Sequence, residues 1–65
     1  MYAIRNRKTL KWVCGTDFRT YPFRQRTSDE NVLIFETQEQ ARIEFKRRMC
    51  GTAYEIVAVR IEAIE

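Results

Sequence analysis

Apolar and polar residues alternate in the first part of the chain, and a period of two is typical of β-strands. Residues 2–5 and 10–14 both alternate, and the polar stretch 6–9 separates them, so the pattern predicts a β-hairpin. On the second strand one face carries Leu10, Trp12 and Cys14, and the other carries Lys11 and Val13. We expect Trp12 to pack in the core. Residues 15–17 (GTD) have turn chemistry and should end this strand.

Two stretches in the second half of the chain also predict strands. Residues 31–35 are almost uniformly apolar, which is typical of a strand buried on both faces. Residues 54–64 alternate again and predict a long last strand. A helical pattern lies between the two with short connections, so we expect these strands to run parallel, joined by a right-handed crossover.

The helical pattern opens with a recognisable N-terminal signal. Thr37 is followed three positions later by Gln40, and this spacing is a capping box, in which the Thr hydroxyl accepts a hydrogen bond from a backbone N–H of the first turn. The helix should therefore begin at about Gln38.

The same stretch predicts which side of the helix is buried and where it ends. Ala41, Phe45 and Met49 recur at every fourth position and form an apolar stripe. Gly51 lies where a helix often ends in the left-handed conformation that glycine adopts without strain, so the helix should stop near Cys50.

Together these elements predict one α+β domain spanning residues 1–65. Its order is β-β-β-α-β, with a small mixed sheet of about four strands and one helix packed on one face. At this length the chain has room for one thin core and no second domain. One helix cannot cover both faces of such a sheet. The second face must be polar, covered by residues 18–28, or buried against another chain.

Residues 18–28 form a long segment without a regular pattern, and they interleave three aromatic residues with three arginines around the only proline. A loop of this length in a compact domain is usually functional or disordered, and the aromatic residues argue against disorder. One interpretation is a binding loop for an anion or a nucleotide, in which arginines pair with phosphates and aromatic rings stack on bases. Its residues would be Arg19, Tyr21, Phe23, Arg24 and Arg26. In the other interpretation the aromatic residues thicken the core and the arginines point to water.

The charge of the chain is unevenly distributed. The net charge is +3, but residues 1–28 carry seven basic side chains and one acidic one, whereas residues 29–65 carry five basic and eight acidic. Nine of the twelve basic residues are arginine, which forms bidentate contacts with phosphate or carboxylate. This distribution indicates an anionic partner for the first half of the chain. A secondary basic set there consists of Arg5, Arg7, Lys8 and Lys11.

A second candidate surface lies on the predicted helix. Ile43 and Cys50 are seven residues apart, on a different side from the main apolar stripe. Such a strip could contact a second copy of the chain, which makes the protein a candidate homo-oligomer.

The residue types present argue against catalysis and against metal or cofactor binding. The chain has no histidine, and its two cysteines, Cys14 and Cys50, are far apart in sequence, so neither a zinc site nor a Cys-His nucleophile is expected. Its two glycines are isolated, which excludes a glycine-rich phosphate loop. We expect a non-enzymatic protein without a cofactor.

The cysteines also bear on the cellular setting. No secretory signal pattern and no apolar run of about 20 residues is present, so a reducing cytoplasm is expected, without membrane association. Both cysteines should then be free thiols.

Four stretches of the chain resemble short accessory proteins of bacteriophages and prophages of the counter-defence type. They are residues 2–6 (YAIRN), 12–19 (WVCGTDFR), 35–41 (FETQEQA) and 54–57 (YEIV). The resemblance implies a protein that acts stoichiometrically against host defence in the cytoplasm of a bacterial cell, as anti-CRISPR proteins or sponges for signalling nucleotides do.

Two functions from different classes follow from these observations. The first is an inhibitor or sequestering protein whose basic, aromatic surface binds a nucleotide, a nucleic acid or a nucleic-acid-binding defence complex. The second is a protein interaction or regulatory module that self-associates through its sheet face, without nucleic acid. Salt separates them, because binding through phosphates weakens steeply as salt rises.

Overall fold

The computed structural model describes residues 1–60 of the chain. In this part the elements are β1 (Tyr2–Asn6), β2 (Trp12–Asp17), β3 (Arg24–Ser28), α1 (Gln38–Arg47), a short 3-10 turn (Gly51–Ala53) and β4 (Tyr54–Ala58). The strands form one sheet in the order β3-β2-β1-β4, and α1 packs against β1 and β4. The predicted α+β class, the β-β-β-α-β order and the single helix on one face are confirmed.

The predicted mixed sheet is wrong, because every strand pair is antiparallel. Strands β1, β2 and β3 form a meander, and β4 then pairs with β1 on its other side, with Ile4 opposite Ile56. The third strand is formed by polar residues 24–28, which were predicted to be irregular. The helical connection therefore leads from one edge of the sheet to the other, and no parallel pair is formed.

The apolar run at residues 31–35 is not a strand of the sheet, although it is hydrogen-bonded to two strands. The Leu33 N–H donates to the Val13 carbonyl at 3.0 Å, and Tyr2 and Phe35 exchange two backbone hydrogen bonds of 2.8 Å. Leu33 and Phe35 pack against the core, whereas Val32 and Ile34 remain partly exposed. The run is apolar on both sides because Leu33 and Phe35 contact the core, whereas Val32 and Ile34 lie on the other side near Trp12.

The predicted inward face of β2 is the wrong one. Val13 is fully buried, whereas Leu10 lies in the preceding turn with φ 62° and is exposed. A β-bulge between Val13 and Gly15 accommodates Cys14 as an extra residue and lets the strand continue through residues 15–17, which were predicted to be a turn. Trp12 lies on the face opposite to the buried Val13 and is only partly buried, so the prediction that it packs in the core is also wrong.

The helix begins at Gln38, as predicted, and Thr37 Oγ1 accepts a hydrogen bond from the Gln40 N–H at 3.1 Å. Its predicted end near Cys50 is wrong, because α1 ends at Arg47 and the left-handed residue that follows is Met49, with φ 54°. Gly51, with φ 73°, begins the 3-10 turn instead.

The predicted buried stripe of the helix is correct for its first two members. Ala41 is fully buried and Phe45 packs against the core, but Met49 is 45% exposed. Met49 leaves the stripe because the helix has already ended and the chain reverses there.

The core lies between the sheet and α1. It consists of Ile4, Val13 and Cys50, and around them pack Leu33, Phe35, Phe45, Tyr54 and Ile56. Cys50 is only 6% exposed, so its predicted place on an oligomer surface beside Ile43 is wrong. The shorter helix turns the Cys50 side chain inward, while Ile43 stays exposed. The predicted last strand ends at Ala58, and its predicted residues 61–64 lie outside the described part of the chain.

Candidate anion-binding surface

The sheet face opposite to α1 carries several of the predicted site residues. Strand pairing aligns Ser28, Trp12, Arg5 and Glu55 in one row across all four strands. Paired residues share a face, and residues two positions apart along a strand share it too. Arg24 and Arg26 therefore lie on this face beside Ser28. We call it the open face, defined by Arg5, Trp12, Arg24, Arg26 and Glu55.

Arg24 and Arg26 are exposed on β3, which is an edge strand of the sheet. Within residues 1–60, neither guanidinium has a side-chain hydrogen bond or an ion pair. The Arg26 side chain lies across Gly15. Its Cδ is 4.0 Å from the position that a Cβ atom would occupy if residue 15 had a side chain. The missing side chain of Gly15 thus leaves room for Arg26 on the open face.

Arg19 is engaged with a neighbouring carboxylate instead. Asp17 Oδ1 accepts hydrogen bonds from the backbone N–H of Arg19 at 3.0 Å and from its Nε at 3.1 Å. These bonds, the side-chain bond above all, hold the pKa of Asp17 below its usual value, with a smaller contribution from the charge of Arg26. Asp17 is opposite Arg24 in the sheet. The carboxylate that lies opposite Arg24 is therefore already bound by Arg19.

The three aromatic residues of the β2–β3 loop contact one another rather than the core. The rings of Phe18 and Phe23 are 5.0 Å apart in an edge-to-face arrangement, and those of Tyr21 and Phe23 are 6.2 Å apart. Tyr21, which precedes Pro22 with a cis peptide bond, is 81% exposed. None of the three belongs to the core cluster, so their predicted alternative role as core filler is wrong.

Two arginines from the end of α1 contact the same loop. The guanidinium carbons of Arg47 and Arg48 lie 5.3 Å and 5.8 Å from the centre of the Phe18 ring, which is the geometry of a cation–π contact. Phe18 therefore anchors the loop to the helix, whereas Tyr21 is directed away from it into solvent.

Arg48 connects the helix to the hairpin more extensively than Arg47 does. Its Nη1 donates to Thr16 Oγ1 at 2.9 Å and its Nη2 donates to Glu44 Oε1 at 3.0 Å, with only 13% of the side chain exposed. Gln25 Nε2 donates to the Arg48 carbonyl at 2.6 Å. Hydrogen bonds from Arg47 first, and from Arg48, hold the pKa of Glu44 below its usual value.

Sequence reasoning missed this network. One signal in the sequence could have revealed its helical part. Glu44 precedes Arg47 by three positions and Arg48 by four, and both spacings place opposite charges side by side on a helix. The bond to Thr16 had no such signal, because it depends on the docking of the hairpin.

The secondary basic set does not form one site. Arg5 makes hydrogen bonds of 2.7 Å and 3.0 Å with Glu55, and its guanidinium lies 5.6 Å from the centre of the Trp12 ring. Arg7 donates to the Tyr54 carbonyl at 3.2 Å. Lys8 and Lys11 are exposed in the β1–β2 turn, at the opposite end of β2 from the aromatic loop.

Two grooves lie on opposite sides of the described domain. One, of about 230 Å³, is on the open face and is lined by Trp12, Val32, Ile34, Val59 and Arg60. The other, of about 330 Å³, is at the helix and is lined by Phe35, Gln40, Ile43 and Glu44. Trp12 was predicted to be a core residue, so the groove on the open face was not anticipated.

The described residues contain no group of three His, Cys, Asp or Glu side chains that could hold a metal ion. Over the same range, no helix has the length and apolar character needed to cross a membrane. Cys14 and Cys50 are both free, as predicted.

Comparison of the chain with models of known protein families, with curated proteins and with solved structures gives no significant match.

Proposed function

We propose that this protein acts by stoichiometric binding of a phosphate-bearing partner, a nucleotide or a nucleic acid, through the β2–β3 hairpin. One observation carries the proposal. Arg24 and Arg26 stand side by side on the open face of an edge strand, and no acidic group in the described residues pairs with them.

The chemistry of these two side chains favours phosphate. An unpaired guanidinium presents a planar set of N–H donors that matches two phosphate oxygens. Arg24 and Arg26 are two residues apart on one strand, which places their Cα atoms about 7 Å apart on the same face. Two such donors can contact neighbouring phosphates of one strand or two phosphates of one nucleotide.

Tyr21 is the aromatic residue that supports the base-binding part of the proposal. Its ring is the most exposed of the loop and contacts only Phe23 among the aromatic rings of the described residues. Stacking on an exposed aromatic ring is a common way to bind single-stranded nucleic acid without sequence preference. Phe23 acts in this proposal by supporting Tyr21, and Arg19 acts by neutralising Asp17.

In a bacteriophage-type setting, such a protein would inhibit or sequester a component of host defence in the bacterial cytoplasm. It would do so either by sequestering a signalling nucleotide or by occupying the nucleic-acid channel of a defence complex. Neither role requires catalysis, a cofactor or a metal.

Replacing both β3 arginines tests the proposal. The double variant Arg24→Ala/Arg26→Ala should lose most of its affinity for a fluorescein-labelled single-stranded 12-mer, measured by anisotropy. For single strands the slope of log K against log salt is about −0.7 per phosphate contact, so the slope should become shallower by about 1.4 if each arginine contacts one phosphate. The melting temperature should change little, because neither guanidinium makes a hydrogen bond or an ion pair within residues 1–60.

The matched control is Arg42→Ala/Lys46→Ala, which removes the same charge from exposed positions of α1. It should bind nearly as the original protein does. Equal loss of affinity in both double variants would show a general charge effect and contradict the assignment of the site. Unfolding of the β3 variant alone would instead show a structural role for its arginines.

The alternative, a self-associating interaction module, is favoured by one feature of the open face. Val32 and Ile34 are partly exposed there beside Trp12. An oligomer formed through this face would persist as salt rises, whereas phosphate binding would weaken. Native mass spectrometry of the purified protein at two salt concentrations distinguishes the two.

A further inference from the structure

The groove on the open face is a second candidate site, because Trp12 lines it on the face that carries Arg24 and Arg26. It is lined by Trp12, Val32, Ile34, Val59 and Arg60. We infer that this groove receives the nucleobase of the ligand whose phosphate lies on β3. The inference rests on the proposed function and specifies where the base is held.

The groove and Arg26 lie close together on the open face. Trp12 is paired with Ser28 on the neighbouring strand, and Arg26 is the next residue of that strand on the same face. Two residues along a strand correspond to about 7 Å. A base in the groove and a phosphate on Arg26 can therefore belong to the same nucleotide or to neighbouring nucleotides.

The indole ring of Trp12 has a charged neighbour that restricts its position. The Arg5 guanidinium lies over Trp12 at 5.6 Å and is itself bound by Glu55 through two hydrogen bonds. This neutral pair fixes Arg5, and Arg5 in turn restricts the ring. A restricted aromatic ring loses little conformational freedom when a ligand stacks on it.

The chemistry of the lining residues suits a nucleobase. Three branched apolar side chains, one indole and Arg60 line a groove of about 230 Å³, so the lining is mostly apolar with one charged group. A planar base has an apolar face and a polar edge, so it matches a site of this kind. The neighbouring arginines favour a base that carries phosphate over an uncharged ring.

The chain has a single tryptophan, so its fluorescence reports directly on the groove. The titrants are a single-stranded thymidine 6-mer, an abasic 6-mer of the same backbone, and thymidine 5′-monophosphate. We expect the thymidine 6-mer to quench Trp12 emission and the abasic 6-mer to bind without quenching. Quenching by the monophosphate at similar concentrations identifies a free nucleotide as the ligand, and quenching by the 6-mer alone identifies a strand. Either supports the inference.

The variant Trp12→Leu removes the stacking surface. It should weaken binding of the thymidine 6-mer by roughly 5- to 100-fold, the range that corresponds to the loss of one stacked base, and leave the abasic 6-mer unchanged. Binding is followed by anisotropy of labelled oligomers, and circular dichroism checks the fold. If this variant does not fold, the quenching experiment on the original protein still decides.

Failure of the inference differs from failure of the proposed function. Binding of both 6-mers with equal affinity and with unchanged Trp12 emission would overturn the groove assignment while leaving phosphate binding intact. Binding of neither 6-mer, or binding unaffected by Arg24→Ala/Arg26→Ala, would overturn the proposed function itself and the inference with it.

Discussion

Cys50 illustrates how burial changes the chemistry of a single residue. Its side chain lies in the core with Ile4 and Val13, and burial raises the pKa of the thiol from 9.0 to about 11. A helix that continued to Cys50 would place this residue near Ile43 on the exposed side. Because α1 ends at Arg47, the Cys50 side chain instead points into the core.

The raised pKa predicts a loss of stability at alkaline pH. Because the folded protein favours the neutral thiol, its contribution to stability is complete below pH 9 and is lost as the pH rises through about 11. Urea unfolding at pH 8 and pH 11, compared with Cys50→Ala, measures this. The advantage of the original protein over the variant should shrink with pH. An advantage that stays constant would contradict it.

The side chains of β2 show what alternation can and cannot predict. The period of two correctly identified a strand, but the choice of inward face depended on the assumption that the largest apolar residue is buried. Val13 is buried instead, and the bulge at Cys14 breaks the alternation for the rest of the strand. A bulge is defined by the partner strand, so a single stretch of sequence does not reveal it.

At the scale of elements, the start of the helix was predictable and its end was not. The capping box at Thr37 is a local signal, whereas the end is set by the turn at Met49 that brings Cys50 into the core. Strand β3 has no recognisable signal in the sequence. Its residues are polar, and because it lies at an edge of the sheet its side chains need not alternate between apolar and polar. The apolar run at residues 31–35 predicts a strand, although the segment is a connection, because apolar runs in strands and in buried connections look alike.

The docking of α1 against the hairpin depends on Arg48. Replacing Arg48 with alanine should lower the free energy of unfolding by about 2 kcal/mol, because its largely buried guanidinium bonds to both Thr16 and Glu44. The control Arg47→Ala removes an exposed arginine that shares Glu44 and should cost within about 0.5 kcal/mol. Urea unfolding measures both. Equal losses would contradict a specific role for Arg48.

At the scale of the molecule, the fold separates the two charge types. The basic first part of the chain forms the meander β1-β2-β3, whereas the acidic second part supplies α1 and β4. The division of charge is visible in the sequence, which also places Arg24 and Arg26 in its basic part. The bond between Arg19 and Asp17 was overlooked although it joins residues only two positions apart. The place of Trp12 beside a groove was not predictable, because it depends on strand register and on contacts between distant residues.

The most direct test of the proposed binding surface is a ¹H–¹⁵N NMR titration of the protein with the thymidine 6-mer. The proposal predicts shifts at the side-chain Nε–H groups of Arg24 and Arg26 and at the indole N–H of Trp12, with Arg42 and Lys46 unchanged. Shifts confined to the helix side, around Ile43, or none at saturating ligand would contradict it.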